Sequence, residues 1–227
     1  MGRVAILMRY CKAQILELLF PSRCLGGCGT SGVSLCERCL SMLPRAPVDH
    51  DLPDYVFPIF DYQNEAVKKV VKALKYRGNP EIVRLCARVL HEEILEQLGD
   101  AFMFGGEKKF ILVPIPASGP NRRTRGFNQC ELIVRELVRG DSGTICISGN
   151  RVLGKNKQTA PQTSLKKRKE RIANIKGSIF VNKPLSVKNK AVILIDDVAT
   201  TGATLREASR VLCEAGAKEI FAFTVAH

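Results

Sequence analysis

The feature that most constrains the fold is an apolar run over residues 191–195 that ends in two adjacent acids, Asp196 and Asp197. An uninterrupted, partly β-branched run of this kind predicts a strand buried on both faces of a parallel sheet. A helical pattern over 204–215, capped by Gly216, and a second strand over 220–225 follow it. Strand, loop, helix and strand make a βαβ unit, so we predict an α/β fold.

The loop after this strand, residues 196–204, predicts a phosphate site. Ligands of open parallel sheets bind at the carboxyl ends of the strands. Gly202 allows a ligand to approach the backbone closely, three threonines supply hydroxyls, and the next helix offers free N–H groups with a positive dipole end. Adjacent carboxylates can bind sugar hydroxyls directly or through a divalent ion. Helix capping alone would need one such residue, not this density of them.

Four of the nine cysteines, Cys24, Cys28, Cys36 and Cys39, lie within sixteen residues. Two closely spaced pairs predict a tetrahedral zinc site, with disulfides or free thiols as the alternatives. Four thiolates would close the site, so the metal is expected to be structural and to fold a segment that lacks a core. The odd number of cysteines fits a reducing compartment, and we expect a cytoplasmic protein.

The chain has a formal net charge of +13, and eight of those charges come from residues 151–176, which hold nine Lys or Arg and one Glu. A basic protein of this size is expected to meet anions, although a solvated flexible loop would also account for this segment. Tryptophan is absent and aromatics are few, which argues against a surface built on aromatic stacking. Residues 4–20 predict an amphipathic helix, not a membrane span, because charges interrupt them.

The remaining segments predict further helices and strands and one domain boundary. Residues 1–50 are expected to hold the first helix and the cysteine module, and residues 51–227 the main domain. Periodicity and breaker residues predict strands over 56–62 and 110–113 and helices over 65–76, 81–98, 128–138 and about 166–174.

Several motifs together resemble a known family. The segment VILIDDVATTGATL (192–205) resembles the diphosphoribosyl-binding signature of type I phosphoribosyltransferases. Together with LVPIPASGPNRRTRGFNQ (112–129), LKYRG (74–78), the spacing over 159–180 and the N-terminal cysteines, it resembles the ComF family. That family is linked to competence and sometimes described as amidophosphoribosyltransferase-like. The resemblance implies a type I phosphoribosyltransferase-like parallel sheet with flanking helices and a small N-terminal zinc-ribbon-like module.

The same resemblance implies roles for individual residues. Asp196 and Asp197 would be the catalytic pair that binds the ribose hydroxyls of 5-phosphoribosyl diphosphate, with Mg²⁺ on the diphosphate. The 5-phosphate would be bound by Ala199, Thr200, Thr201, Gly202, Ala203 and Thr204. The diphosphate would be bound by Pro116, Ala117, Arg123 and Arg125. A mobile flap over the substrate would contain Lys155, Gln162 and Arg171.

Two functions remain open from the sequence. The first is an enzyme that displaces diphosphate from the sugar with a nitrogen nucleophile. No general base is evident, the acceptor is not readable, and ammonia from glutamine is not expected because the N-terminal residues hold no glutaminase domain. The second is a competence factor that binds single-stranded DNA through the same phosphate loop and basic residues. The three histidines are assigned no role.

Overall fold

A computed structural model describes residues 22–104, 110–117, 123–141, 146–156 and 175–227. The helices predicted over 4–20 and around 166–174 lie outside these ranges. No helix among the described residues is long and apolar enough to cross a membrane.

The main sheet has five parallel strands in the order β1-β7-β6-β2-β3. Its strands are β1 (Val56–Phe60), β2 (Phe110–Pro114), β3 (Cys146–Ser148), β6 (Ala191–Val198) and β7 (Glu219–Ala226). The predicted α/β class with a parallel sheet is therefore confirmed. Since all strands run the same way, the loops after β1, β2 and β6 and His227 after β7 meet at one edge.

Strand β6 is the central strand because its apolar side chains can be buried on both faces. All five residues of the run 191–195 are buried. On one side Pro114 of β2 is in register with Ile195, and on the other Thr224 of β7 is in register with Asp196. The acid pair therefore lies at the carboxyl end of the middle strand, as the sequence predicts.

Six helices accompany the strands in the described ranges. They are α1 (Glu37–Ser41), α2 (Glu65–Arg77), α3 (Pro80–Phe104), α4 (Gln129–Gly140), α5 (Pro184–Val187) and α6 (Ala203–Glu214). Asn64 caps α2 by accepting the N–H of Ala66 at 2.9 Å, and Gly78, with φ 51°, ends that helix. The sequence predicted that this helix ends at Leu98, but α3 continues for six more residues, because no proline follows Leu98 to interrupt it.

Two apolar clusters cover the two faces of the sheet. One contains buried side chains of α2, α3 and α4 with Ile193 and Ile195 of β6. The other contains side chains of α6 with Val192 and Leu194. Because successive residues of a strand point to opposite faces, Asp197 continues the row that faces α2 and α4.

A short antiparallel hairpin, absent from the sequence predictions, lies at the base of the predicted flap. It pairs β4 (Leu153–Lys155) with β5 (Ile179–Val181). Gly177, just before β5, donates its N–H to the Glu207 carboxylate of α6 at 2.7 Å. This bond holds the hairpin against the helix that follows the acid pair.

The cysteine segment packs against the main core. Leu35 and Cys39 belong to the apolar cluster that contains α3. Ser34 donates its backbone N–H to Glu81 of α3 at 2.9 Å and accepts from Asn79 through its hydroxyl, also at 2.9 Å. A segment without a core of its own is thus supported by contacts with the main domain.

Candidate ligand site and cysteine cluster

The acid pair holds two carboxylates in different surroundings. Asp197 is 5% exposed, and both of its oxygens have partners. Gln129, the first residue of α4, donates its Nε2 to Oδ2 at 2.6 Å. Lys75, near the end of α2, lies with its Nζ 3.3 Å from Oδ1. Asp197 therefore connects β6 to two helices through charged and hydrogen-bonded contacts.

Asp196 is partly buried and less fully paired. Its Oδ1 accepts the backbone N–H of Asp197 at 2.8 Å and lies 3.5 Å from the Cys130 thiol. Burial, and then the neighbouring Asp197 charge, raises the pKa of Asp196 from 3.8 to about 7. A carboxyl that is costly to ionise in this way is a good partner for a cation or for sugar hydroxyls.

Two lysines bring positive charge to the acid pair. Burial lowers the pKa of Lys75, but the charges of Asp197 and Asp196 outweigh it, and the net shift is upward. Lys155, on β4, has a lowered pKa because it is buried, and the Asp196 charge opposes that shift. The hairpin at the base of the predicted flap thus contributes one cation, Lys155, whose pKa is influenced by the charge of Asp196.

The loop after the acids leaves several backbone N–H groups open. Ala199 donates to Ala226 O at 3.0 Å, and Ala203 donates to the Thr201 hydroxyl at 3.4 Å. Within the described part of the chain, no group accepts the N–H of Thr200, Thr201 or Gly202. Three consecutive N–H groups are thus open in the loop that leads into α6, next to the positive end of the helix, where an anion can bind.

Gly202 is required at this point of the loop. Its φ of 66° is a left-handed conformation that glycine adopts without strain. A side chain here would also place a Cβ 3.0 Å from Leu52 Cδ2, in the loop before β1. The glycine therefore lets the 49–53 loop lie directly on the phosphate loop.

His227 and Arg206 hold the 49–53 loop in place. The Nδ1 of His227 lies 2.9 Å from Ala199 O, and its Nε2 lies 2.8 Å from Asp49 Oδ2. Arg206 of α6 donates to the backbone carbonyl of Asp51. These contacts give His227 a positioning role that the sequence did not indicate.

The loop after β2 approaches the same edge of the sheet. Ile115 donates its N–H to Ile195 O at 2.9 Å, and Asn128 donates its side-chain amide to Ile115 O at 3.0 Å. These two bonds fix the backbone that leads into Pro116 and Ala117, the residues predicted to bind diphosphate. Both residues remain partly exposed.

The predicted diphosphate arginines have different surroundings. Arg123 is exposed. Arg125 donates its Nη1 to Gln129 Oε1 at 3.2 Å, and its Cζ lies 5.0 Å from the ring centroid of Tyr76. Of the predicted flap residues, Lys155 is partly buried on β4, and Gln162 and Arg171 lie outside the described ranges.

The four clustered cysteines converge on one point. Their sulfur atoms all lie within 4.8 Å of one another. Cys24 and Cys28 each approach Cys36, with Sγ–Sγ distances of 3.7 and 3.6 Å. Four thiolates at the zinc–sulfur distance of a tetrahedral site lie about 3.8 Å apart. The residues present therefore fit a tetrahedral metal ion, and the spacing is far too long for a disulfide.

Local backbone contacts support this arrangement. Cys36 donates its N–H to Cys24 Sγ at 3.4 Å. The hydrogen bonds of Cys28 with Thr30, whose hydroxyl lies 3.0 Å from Sγ, lower the pKa of the Cys28 thiol to about 6. A Cβ at Gly26 would overlap the side chain of Cys39, so that glycine is needed for the segment to close.

Sequence reasoning missed the partners of the acid pair. Lys75 and Gln129 stand in the motifs LKYRG and RGFNQ, which carried the family resemblance, yet nothing local assigns them to Asp197. The only available signal was that a buried carboxylate must be paired. His227 had no signal of its own, because its contact with Asp49 joins residues 178 positions apart.

A parallel sheet with an acid pair at the end of its central strand, followed by a loop of open N–H groups, is the architecture of a phosphoribosyltransferase-type protein. Residues 123–227 match the family model described as the phosphoribosyl transferase domain. The predicted fold class is thereby confirmed. Among solved structures, a hypoxanthine phosphoribosyltransferase from Staphylococcus aureus aligns with 62% of this chain and 62% of its own, at 15% identity and a TM-score of 0.35.

Two curated relatives place the chain more narrowly. The Competence protein ComFC of Bacillus subtilis (strain 168) is 32% identical over 71% of this chain and 60% of its own length. The DNA utilization protein YhgH of Salmonella typhimurium is 26% identical over 82% of this chain and 74% of its own. The chain belongs to the ComF family of phosphoribosyltransferase-type proteins. Its match spans 60% of the Bacillus relative.

Proposed function

We propose that this protein binds 5-phosphoribosyl diphosphate with Mg²⁺ and transfers the phosphoribosyl group to an unidentified nitrogen acceptor. The observation that carries the proposal is the open row of N–H groups at Thr200, Thr201 and Gly202, directly after the acid pair. A phosphate and a ribose ring joined by one ester bond would place their polar groups at these two features.

The 5-phosphate is assigned to the loop from Ala199 to Thr204. Backbone N–H groups and the positive end of α6 attract the dianion. The Thr200 and Thr201 hydroxyls are exposed and partly exposed, so they can donate to the remaining phosphate oxygens. Gly202 supplies the left-handed turn, with φ 66°, that leads this loop into α6.

The ribose hydroxyls are assigned to the acid pair. Asp197 holds Lys75 and Gln129, so Asp196 is the carboxylate with more freedom to bind a hydroxyl. Mg²⁺, when bound with the diphosphate, would supply charge neutralisation for the leaving group. Asp196 would then ionise more readily, because a cation nearby offsets its burial.

The diphosphate is assigned to the β2 loop at Pro116 and Ala117, with Arg123 and Arg125 contributing guanidinium groups. Lys155 would contribute from the flap base, and Gln162 and Arg171 from the flap itself. In the transfer step the acceptor nitrogen bonds to C1′ while the bond from C1′ to the diphosphate oxygen breaks. Diphosphate leaves with the bond electrons, and the acceptor releases a proton to solvent.

The metal of the cysteine cluster is assigned as structural Zn²⁺. All four positions of a tetrahedral ion are filled by Cys24, Cys28, Cys36 and Cys39, which leaves none for a substrate. We place the boundary between this module and the phosphoribosyltransferase-like domain near residue 50. In this proposal the module supports α3 and has no part in the transfer step.

Thermal unfolding with and without ligand tests the proposal. Mg²⁺ with 5-phosphoribosyl diphosphate should raise the Tm of the parent protein, because a ligand that binds only the folded state stabilises it by mass action. The rise should disappear in D196N/D197N and persist in a matched surface variant, Glu96→Gln, which is exposed on α3. An equal rise in all three proteins would reject the assigned site.

A second candidate is single-stranded DNA binding through the same phosphate loop and basic residues. The net charge of +13 favours it, as do the names of the two relatives, a competence protein and a DNA utilization protein. Binding to a single-stranded oligonucleotide should weaken steeply as salt rises, since phosphate contacts release counterions. No binding at low salt, or affinity that is indifferent to salt, would dispose of this candidate.

A further inference from the structure

An exposed aromatic ring beside the acid pair has no role in the proposed chemistry. Tyr76, near the end of α2, is 61% exposed, more than any other Tyr or Phe side chain in the described ranges. It is one of four tyrosines in a chain without tryptophan. Exposing a ring of this size keeps apolar surface in water, and a cation–π contact at such an exposed site adds little stability.

Tyr76 is paired with a guanidinium group that is itself fixed. Arg125 lies over the ring, with its Cζ 5.0 Å from the centroid. The same guanidinium donates to Gln129 Oε1 at 3.2 Å. The backbone that follows each residue of the pair is closely packed. Gly78 and Phe127, two positions after Tyr76 and Arg125, are in contact, since a Cβ at Gly78 would lie 2.9 Å from the Phe127 ring. The pair is therefore largely ordered before any ligand arrives, which lowers the entropic cost of binding.

Contacts place this pair next to the candidate ligand site. Two hydrogen bonds lead from Arg125 through Gln129 to Asp197, with lengths of 3.2 and 2.6 Å. Lys75, the neighbour of Tyr76, contacts the same carboxylate at 3.3 Å. A planar ring and a planar cation thus lie at the border of the site, among positive charges that suit a ligand carrying phosphate.

We propose that the ring of Tyr76, with the Arg125 guanidinium packed against one of its faces, forms a stacking platform for a nucleobase. Aromatic rings and guanidinium planes are the surfaces on which bases stack, and stacking tolerates different bases because each has a π face. A single ring suffices, so the scarcity of aromatics in the chain is no obstacle. The inference rests on the proposed function for the location of the ligand, and it adds the chemical class of the group bound beside the acids.

The nucleobase can come from two sources. As a free base it would be the nitrogen acceptor, whose ring nitrogen bonds to C1′ while diphosphate departs and the ring proton goes to solvent. As part of a single strand it would be held by stacking while the phosphates meet the basic residues. Both sources present the same planar heterocycle to Tyr76, and experiment can separate them.

The absence of tryptophan allows a direct reporter. Tyr76→Trp creates the single tryptophan of the chain, and a stacked base should quench its fluorescence. Leu185→Trp, which is 83% exposed on α5 just before the amino end of β6, serves as the control and should not be quenched. The probes are a twelve-nucleotide deoxyadenosine strand, an abasic strand of the same charge, and adenine, hypoxanthine or uracil with Mg²⁺ and 5-phosphoribosyl diphosphate.

Quenching by the deoxyadenosine strand but not by the abasic strand would identify a base within nucleic acid. Quenching by a free base in the presence of the diphosphate sugar would identify an acceptor. Tyr76→Ala should weaken the corresponding binding about tenfold, while Tyr76→Phe should retain it. Absence of quenching by every probe, equal quenching by the abasic strand, or equal affinity of the Ala and Phe variants would overturn the platform.

Titration of the same Tyr76→Ala protein with Mg²⁺ and 5-phosphoribosyl diphosphate alone separates the two proposals. If the protein binds the sugar but no base changes either the reporter fluorescence or the binding, the platform is rejected and the proposed function is retained. Failure of the parent protein to bind the sugar, with the deoxyadenosine strand still quenching the fluorescence of the Tyr76→Trp reporter, would reject transferase chemistry and retain the platform for nucleic acid.

Discussion

Replacing Asp196 by Asn is expected to stabilise the folded protein at alkaline pH while weakening its binding of the diphosphate sugar. The pKa of Asp196 is raised from 3.8 to about 7, first by burial and then by the charge of Asp197. A carboxyl whose pKa is raised on folding binds its proton more tightly in the folded state. The stability of the parent protein should therefore fall as pH rises from about 4 through 7.

The magnitude follows from that pKa. At about 1.4 kcal/mol for each pH unit between 3.8 and about 7, ionising Asp196 costs the folded state about 4 kcal/mol. Asn cannot ionise, and its Oδ1 can still accept the N–H of Asp197, which lies 2.8 Å from that atom in the parent. We expect D196N to exceed the parent by about 2–4 kcal/mol at pH 8 and by no more than about 1 kcal/mol at pH 4.5.

Urea unfolding of both proteins at pH 4.5, 6 and 8, followed by circular dichroism, provides the measurement. Subtracting the free energy of unfolding of the parent from that of the variant removes the contributions of the titratable groups that both proteins share. Asp197→Asn is the matched control with the opposite sign, because it removes a partner of the half-buried Lys75 and should cost about 1–3 kcal/mol at pH 8. A D196N protein that is no more stable than the parent at pH 8 would refute the assignment of a costly carboxylate.

Three further results are expected. Cys39→Ser should reduce zinc, measured by mass spectrometry of the metal, from about one ion per chain to near zero and lower the Tm, whereas Cys213→Ser, outside the cluster, should change neither. His227→Ala should lower the free energy of unfolding in urea by about 1 kcal/mol and weaken sugar binding a few fold. Adding Asp49→Ala to this variant should lower the free energy of unfolding little further. If the effects of the two substitutions were fully additive, the two side chains would not interact. Gly202→Ala should cost about 1–2 kcal/mol and abolish the ligand-induced rise in Tm, and an unaltered rise would mean that the phosphate lies elsewhere.

The parts of the fold that follow from local patterns were predictable. The apolar run 191–195 specifies a buried strand, and the acids at its end mark the carboxyl edge of the sheet. Helix α2 carries its own start and stop signals, Asn64 and Gly78. Strands β3, β4 and β5, at three residues each, were missed because so few residues show no periodicity and their pairing depends on partners far along the chain.

Only the part of the candidate site that lies in one continuous segment of the sequence was predictable. Residues 196–204 could be recognised because acids, hydroxyls and glycine stand together in the sequence. The pairing of Asp197 with Gln129 joins residues 68 positions apart, and the His227–Asp49 contact joins residues even more distant. Such pairs are determined by the packing of whole elements, so no local pattern could show that the two aspartates differ in their surroundings.

The proposed ligand site requires that the N–H groups at the start of α6 receive a phosphate. Two-dimensional ¹H–¹⁵N correlation spectra of labelled protein, titrated with 5-phosphoribosyl diphosphate and Mg²⁺, observe these groups individually. We expect large, saturable shifts of the Thr200, Thr201 and Gly202 resonances, which D196N should weaken. The assignment would be contradicted if the resonances of these three residues did not shift while resonances of Lys and Arg residues elsewhere on the surface did.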